Sequence, residues 1–147
     1  MFKVLQKNIF KHYYQLFKIQ IEKMTELKLM QLRHEINTWK RMLGFMQEEN
    51  VHLKNRLSEV LKDRFNKNLL DEVEFFQTNF IKEDEVIGLL KSEVAAIDNI
   101  LKWDLITHEN KLVINKGIEN VRNNIDAAER DFTKISIDFN KYLSENI

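Results

Sequence analysis

The sequence predicts an all-α protein, an antiparallel up-down-up three-helix coiled-coil bundle with long helices, and three observations predict it. None of the 147 residues is proline, where average usage would give roughly seven. Proline removes a backbone N–H and clashes with the preceding turn, so its absence permits long uninterrupted helices. Apolar residues recur in steps of three and four through three separate stretches. That spacing draws one stripe along a helix and implies left-handed supercoiling. The stretches between the ladders are short, and short connections set neighbouring helices antiparallel.

The first ladder runs Leu29, Leu32, Ile36, Trp39, Leu43, Met46, Asn50, Leu53, Leu57, Val60. Asn50 is its one polar member. Thr25, before Glu26 and Leu27, is the expected N-cap, so the first helix is placed at about residues 26–65. The stripe fails at Arg64. Phe65-Asn66-Lys67-Asn68 then carries the expected reversal, with Asn68 and Asp71 as a capping pair for the next helix.

The second ladder is Val73, Phe76, Phe80, Glu83, Ile87, Leu90, Val94, Ile97, Leu101, on a helix expected at about residues 69–103. Glu83 is its one polar member. Lys82-Glu83-Asp84-Glu85 is the place where a break would fall, but the period keeps phase across it and predicts continuity. A secondary stripe of Phe75, Val86, Leu89, Ala96 and Ile100 widens the apolar face and suggests a further neighbour. Asp104 then lands on the stripe, and Thr107 is a candidate N-cap. The third ladder, Ile114, Ile118, Val121, Ile125, Ala128, Phe132, Ile135, Phe139, Tyr142, belongs to a helix at about residues 108–144.

Residues 1–23 form an N-terminal basic and aromatic arm, distinct from the bundle of residues 24–147. The arm holds five lysines and one acid, Glu22, leaving 18 basic and 22 acidic residues beyond it. Three readings compete: a basic amphipathic helix that lies on a membrane surface, a short helix packed on the bundle, or a misplaced start. The last reading rests on the abundance of Phe, Lys, Ile, Asn, Tyr and Leu, whose codons are rich in A and T. Met24-Thr25-Glu26 would then be the natural beginning.

The whole chain has 23 basic and 23 acidic residues. A nucleic-acid binder would carry a basic excess, so that class is disfavoured. The chain has no cysteine, hence no disulfide and no thiolate metal site, which fits a reducing compartment; the expected location is cytoplasmic. No apolar run approaches the ~20 residues of a membrane-spanning helix.

Reflecting the first helix onto the second about residue 67 sets position 50 opposite 84, beside Glu83. Burying an unpaired amide or carboxylate is costly, so Asn50 and Glu83 are expected to hydrogen-bond each other in a buried polar layer that fixes register. Burial should raise the pKa of Glu83. Glu49 and His52 have the Glu-x-x-His spacing of di-iron bundles. No second copy of the motif exists, and the two residues fall at g and c, beside the core, so no metal is expected. A metal-binding bundle using Glu49, His52 and Glu83 stands as an alternative.

His34 falls at f, His108 in the second connection and His12 in the arm, which supplies no haem ligand. Ser58, Ser92, Ser136 and Ser144 lack an adjacent base. Gly44, Gly88 and Gly117 are isolated within helices, where a close helix approach would account for them. No catalytic residue and no cofactor is expected. Trp39, Phe76, Phe80, Phe132, Phe139 and Tyr142 read as core.

The segments Glu49–Leu57, Phe76–Glu85 and Asn140–Asn146 resemble a set of small uncharacterised coiled-coil proteins encoded in Bacteroidetes genomes. The resemblance covers residues 24–147 and omits the arm. It implies a bacterial cytoplasmic protein starting at Met24, and no activity, cofactor or site. The expected function is therefore a structural or protein-interaction module. Its partner would be another protein or a second copy of itself, meeting a candidate interface of Phe45, Val86, Leu89, Ala96 and Ile100; the alternative is that splayed helices of the bundle itself cover those residues. A membrane surface enters only through residues 1–23.

Overall fold

The computed structural model describes residues 2–63 and 69–146, and no strand occurs among them. Helix α1 spans Phe2–Asp63, α2 spans Leu70–Lys102 and α3 spans Lys111–Asn146. The three pack against one another. The chain divides into two compact units, residues 1–37 and 38–147.

In the larger unit, the heptad stripes are the core. The nine buried residues of α2 are the nine members of its ladder, from Val73 to Leu101. Along α3 the ladder is buried from Ile118 to Tyr142, with Leu143 added. Along α1 the buried members in this unit are Trp39, Leu43, Met46, Asn50, Leu53 and Leu57. Each large apolar side chain removed from water stabilises by about 1.5–3 kcal/mol, so these rows drive assembly. At one end of the unit the core is aromatic. Phe80 and Phe139 are fully buried and meet edge to face, with ring centroids 5.1 Å apart. Phe76 lies 5.1 Å from Phe139 and 5.2 Å from Tyr142.

Polar side chains flank the seam between α1 and α2. Lys40 pairs with Asp98, Gln47 accepts from Lys91, and Lys54 pairs with Asp84. Each step of seven forward along α1 is a step of seven backward along α2. The pairs are substantially exposed, where an ion pair contributes little; their value is as markers of register. Arg56 donates to the Asn140 side chain at 3.0 Å, linking α1 to α3.

The connection between α2 and α3 is built from two local devices. Asp104 has a positive φ of 50°, and the Leu105 N–H bonds back to Ile100 O while the Asp104 N–H bonds to Leu101 O. This is a Schellman closure with aspartate in the left-handed position that glycine usually takes. Thr107 Oγ1 then accepts from the Asn110 N–H, and Asn110 Oδ1 accepts from the Thr107 N–H. The reciprocal pair is a capping box with asparagine in the usual Glu/Gln place, and Thr107 thus takes the capping role its position suggests.

Several expected boundaries shift. The first helix does not start near residue 26: α1 runs through Thr25, which is an interior residue and not a cap. No proline or glycine precedes Gly44, and threonine inside a helix costs less than about 0.7 kcal/mol, so nothing stops the helix there. α3 spans Lys111–Asn146, three residues later at its start and two at its end than expected. α2 is continuous across Lys82–Glu85. The reversal at residues 65–68, with Arg64 and Asn68, lies outside the described residues. Leu69 makes no side-chain cap to α2, whose first turn instead carries Asp71 and Glu72, favourable near the positive end of the helix dipole.

The helical glycines do not mark close approach. A Cβ built at Gly44, Gly88 or Gly117 meets nothing within 4 Å. Gly88→Ala should therefore stabilise by about 0.5–1 kcal/mol. Phe139→Ala should cost about 3–5 kcal/mol. Urea midpoints at unchanged slope measure both, and a destabilising Gly88→Ala would reveal a contact that the open space denies.

In residues 1–37, every side chain from Phe2 to Gln20 is exposed, Leu29 and Leu32 are half-buried, and Ile36 is buried.

Candidate functional site: a buried polar layer and an outer helix face

Two residues interrupt the apolar stripes, and both are buried: Asn50 at 0% and Glu83 at 8% exposure. The Asn50 amide nitrogen uses both of its hydrogens. It donates to Phe80 O at 2.9 Å and to Asp84 Oδ1 at 2.6 Å. Lys54, one turn along α1, donates to the other oxygen of Asp84 at 2.5 Å. One carboxylate on α2 thus gathers an amide and an ammonium from α1.

The expected bond between Asn50 and Glu83 is not made. Position 50 does lie opposite 84, but Asp84 itself is the partner. Consecutive helix residues point about 100° apart, so Asp84 and Glu83 serve different neighbours. Asp84 and Lys54 carried no stripe signal of their own. The signal that could have found them was the register itself, which names 84 directly and puts Lys54 four residues from Asn50.

Glu83 lines a groove between α2 and α3, of about 290 Å³, with Asn79, Lys82, Val86, Ala128, Asp131 and Lys134 among its walls. Its Oε2 is buried with no hydrogen-bond partner. Burial pushes its carboxyl above the ordinary value of 4.5, the nearby Asp131 carboxylate adds to the rise, and Lys82 opposes it. A carboxyl whose pKa is raised by folding binds its proton more tightly in the folded state. Its contribution is therefore most favourable below the unfolded value and is lost as pH climbs through the folded one.

Beside the core stripe a second row on α2 steps by three and four: Phe75, Asn79, Lys82, Val86, Leu89, Glu93, Ala96, Ile100, and its first four members line the groove against α3. Phe75 is 56% exposed and Leu89 62%; Ala96 is exposed, while Val86 and Ile100 are half-buried. Phe45 is 65% exposed but does not join this row. It lies two residues, or about 160° around the helix, from Gln47, whose side chain meets α2.

His34, His52 and His108 are exposed and Glu49 is half-buried. Among the described residues no three His, Cys, Asp or Glu side chains gather as a metal ion would require. No described helix is long and apolar enough to cross a membrane. Compared with protein-family models, curated proteins and solved structures, the chain matches none.

Glu83→Gln should raise the thermal midpoint at pH 7, and the gain should shrink as pH falls toward 4.5; melting the two proteins across that range checks the sign. Asn50→Leu should raise the midpoint as well, since it removes a buried polar group. It should also produce more than one sedimenting species where the parent chain gives one, because Asn50 no longer penalises wrong pairings. A single unchanged species would remove the register role.

Proposed function

We propose that this chain is a non-catalytic structural and protein-interaction module, built as an antiparallel up-down-up three-helix coiled coil whose α2 offers a second face to a partner helix. The opposite-running steps of seven that link Lys40, Gln47 and Lys54 to Asp98, Lys91 and Asp84 support the antiparallel reading of α1 and α2.

The observation that carries the interaction reading is the second ladder on α2. A helix that only closes a three-helix core needs one stripe. Here a second row, at the same period, leaves Phe75 and Leu89 in water. Apolar side chains repeated at heptad spacing are what a further amphipathic helix docks on, through i, i+3, i+4 and i+7 anchors. Scattered apolar residues would need no explanation; their period is what distinguishes these. Self-association would use the same face.

A photo-crosslinking side chain placed at Leu89 should give a protein adduct in cells, and the same group at the exposed Glu129 of α3 should give none. Phe75→Asp should abolish the Leu89 adduct without changing the melting of the bundle. Adducts of equal yield from both positions, or from neither, would refute the reading.

A further inference from the structure

We infer that the N-terminal segment of α1 is a docking helix for an anionic lipid surface. Residues 2–20 are helical and exposed at every position. They include Lys3, Lys7, Lys11 and Lys18, and no acidic residue. At 100° per residue, the four lysines fall within an arc of about 80°. Leu5, Ile9, Tyr13 and Leu16 fall within another arc of about 80° on the opposite side, and Phe10 and Phe17 widen it to about 140°. These six apolar and aromatic side chains are each at least half exposed.

The apolar arc also takes in Phe2, while Val4 and Tyr14 fall on the lysine side and Ile19 between the two arcs; a lysine-bearing face opposite a mainly apolar one is the pattern of a helix lying in the plane of a bilayer. Tyr13 can keep its hydroxyl at the headgroups while its ring is covered. The lysines extend their stems and hold their ammonium groups near lipid phosphates.

A second copy of the arm fits these observations less well. Two helices pairing through a coiled-coil seam cover only the narrow a and d positions. That would leave Phe10 and Phe17, one residue beyond Ile9 and Leu16, in water. Two copies of residues 2–20, each with four lysines and no acid, also offer no opposite charges to one another, whereas partner choice in coiled coils rests on such pairs. An anionic surface covers the broad arc and supplies the missing charge.

The test is co-flotation of the full chain with vesicles of phosphatidylcholine alone, or with about 30% phosphatidylserine, at ~0.1 M salt. Binding should be at least about tenfold tighter to the anionic vesicles and should fall as salt shortens the Debye length. Replacing Lys3, Lys7, Lys11 and Lys18 together by Gln should weaken it by about a hundredfold or more, at about fivefold per lysine. Leu5→Gln, Ile9→Gln and Leu16→Gln together should abolish binding to both vesicles. Because these side chains are exposed, neither variant should change the melting of residues 38–147, which checks folding independently. Absence of binding to anionic vesicles overturns the inference, as does equal binding to both kinds. So does a chain that ignores vesicles but turns from dimer to monomer when Leu5, Ile9 and Leu16 are replaced, which would make the arm a self-association helix.

Discussion

The stripe of α2 is the constraint on which the bundle depends. Nine positions, stepping by three and four from Val73 to Leu101, are withdrawn from water on a helix of 33 residues. With charged residues at 31% of the chain, few other arrangements would hide the apolar side chains without also hiding charge. Burial of ionised groups is far costlier than exposure of a few apolar ones. The stripes of α1 and α3 therefore have one place to go, and the flanking positions are left for Lys40, Gln47, Lys54 and Arg56 to reach across.

Within that seam the two polar interruptions are treated differently. Asn50 is anchored by two hydrogen bonds, and a shift of either helix would break both. Its own oxygen remains without a partner, which costs some stability. Glu83 is the costlier member. It has a buried oxygen with no partner and an acid, Asp131, for a neighbour. Glu93 Oε2 and the Tyr142 hydroxyl are likewise buried without a partner, and burial, with Glu72 nearby, raises the pKa of Tyr142. Both Glu83 and Tyr142 belong to the part of the core rich in Phe76, Phe80 and Phe139, where apolar and aromatic burial is large enough to offset them.

The outer row of α2 and the exposed side chains of residues 2–20 share a physical reading. Each includes apolar side chains that stand in water, Phe75 and Leu89 on α2 and the apolar members of residues 2–20. They differ in charge. The α2 row mixes Lys82 and Glu93 with its apolar members, as a face for another protein does. The segment of residues 2–20 has only positive charge, which suits a negative surface.

The core was legible in the amino-acid sequence because a heptad ladder is a local property: every buried member of the three stripes, apart from Leu143, stands in a row that can be counted from residue numbers. The register of Asn50 against position 84 was legible for the same reason, since reflection about a short turn needs only counting. The helix start was not. Thr25 looks like a cap, yet a cap forms only where the chain enters from outside a helix, and whether residues 2–24 are helical depends on the absence of any interrupter upstream. The pairing of Asn50 with Asp84 was settled by tertiary structure. It turns on which side of α2 each neighbouring helix occupies, and a stripe counted along one helix has no azimuth until a second helix packs on it. The same reason separates Phe45 from the α2 row, and shows that the three glycines face open space. Sequence determined which side chains leave water; packing decided what each one meets.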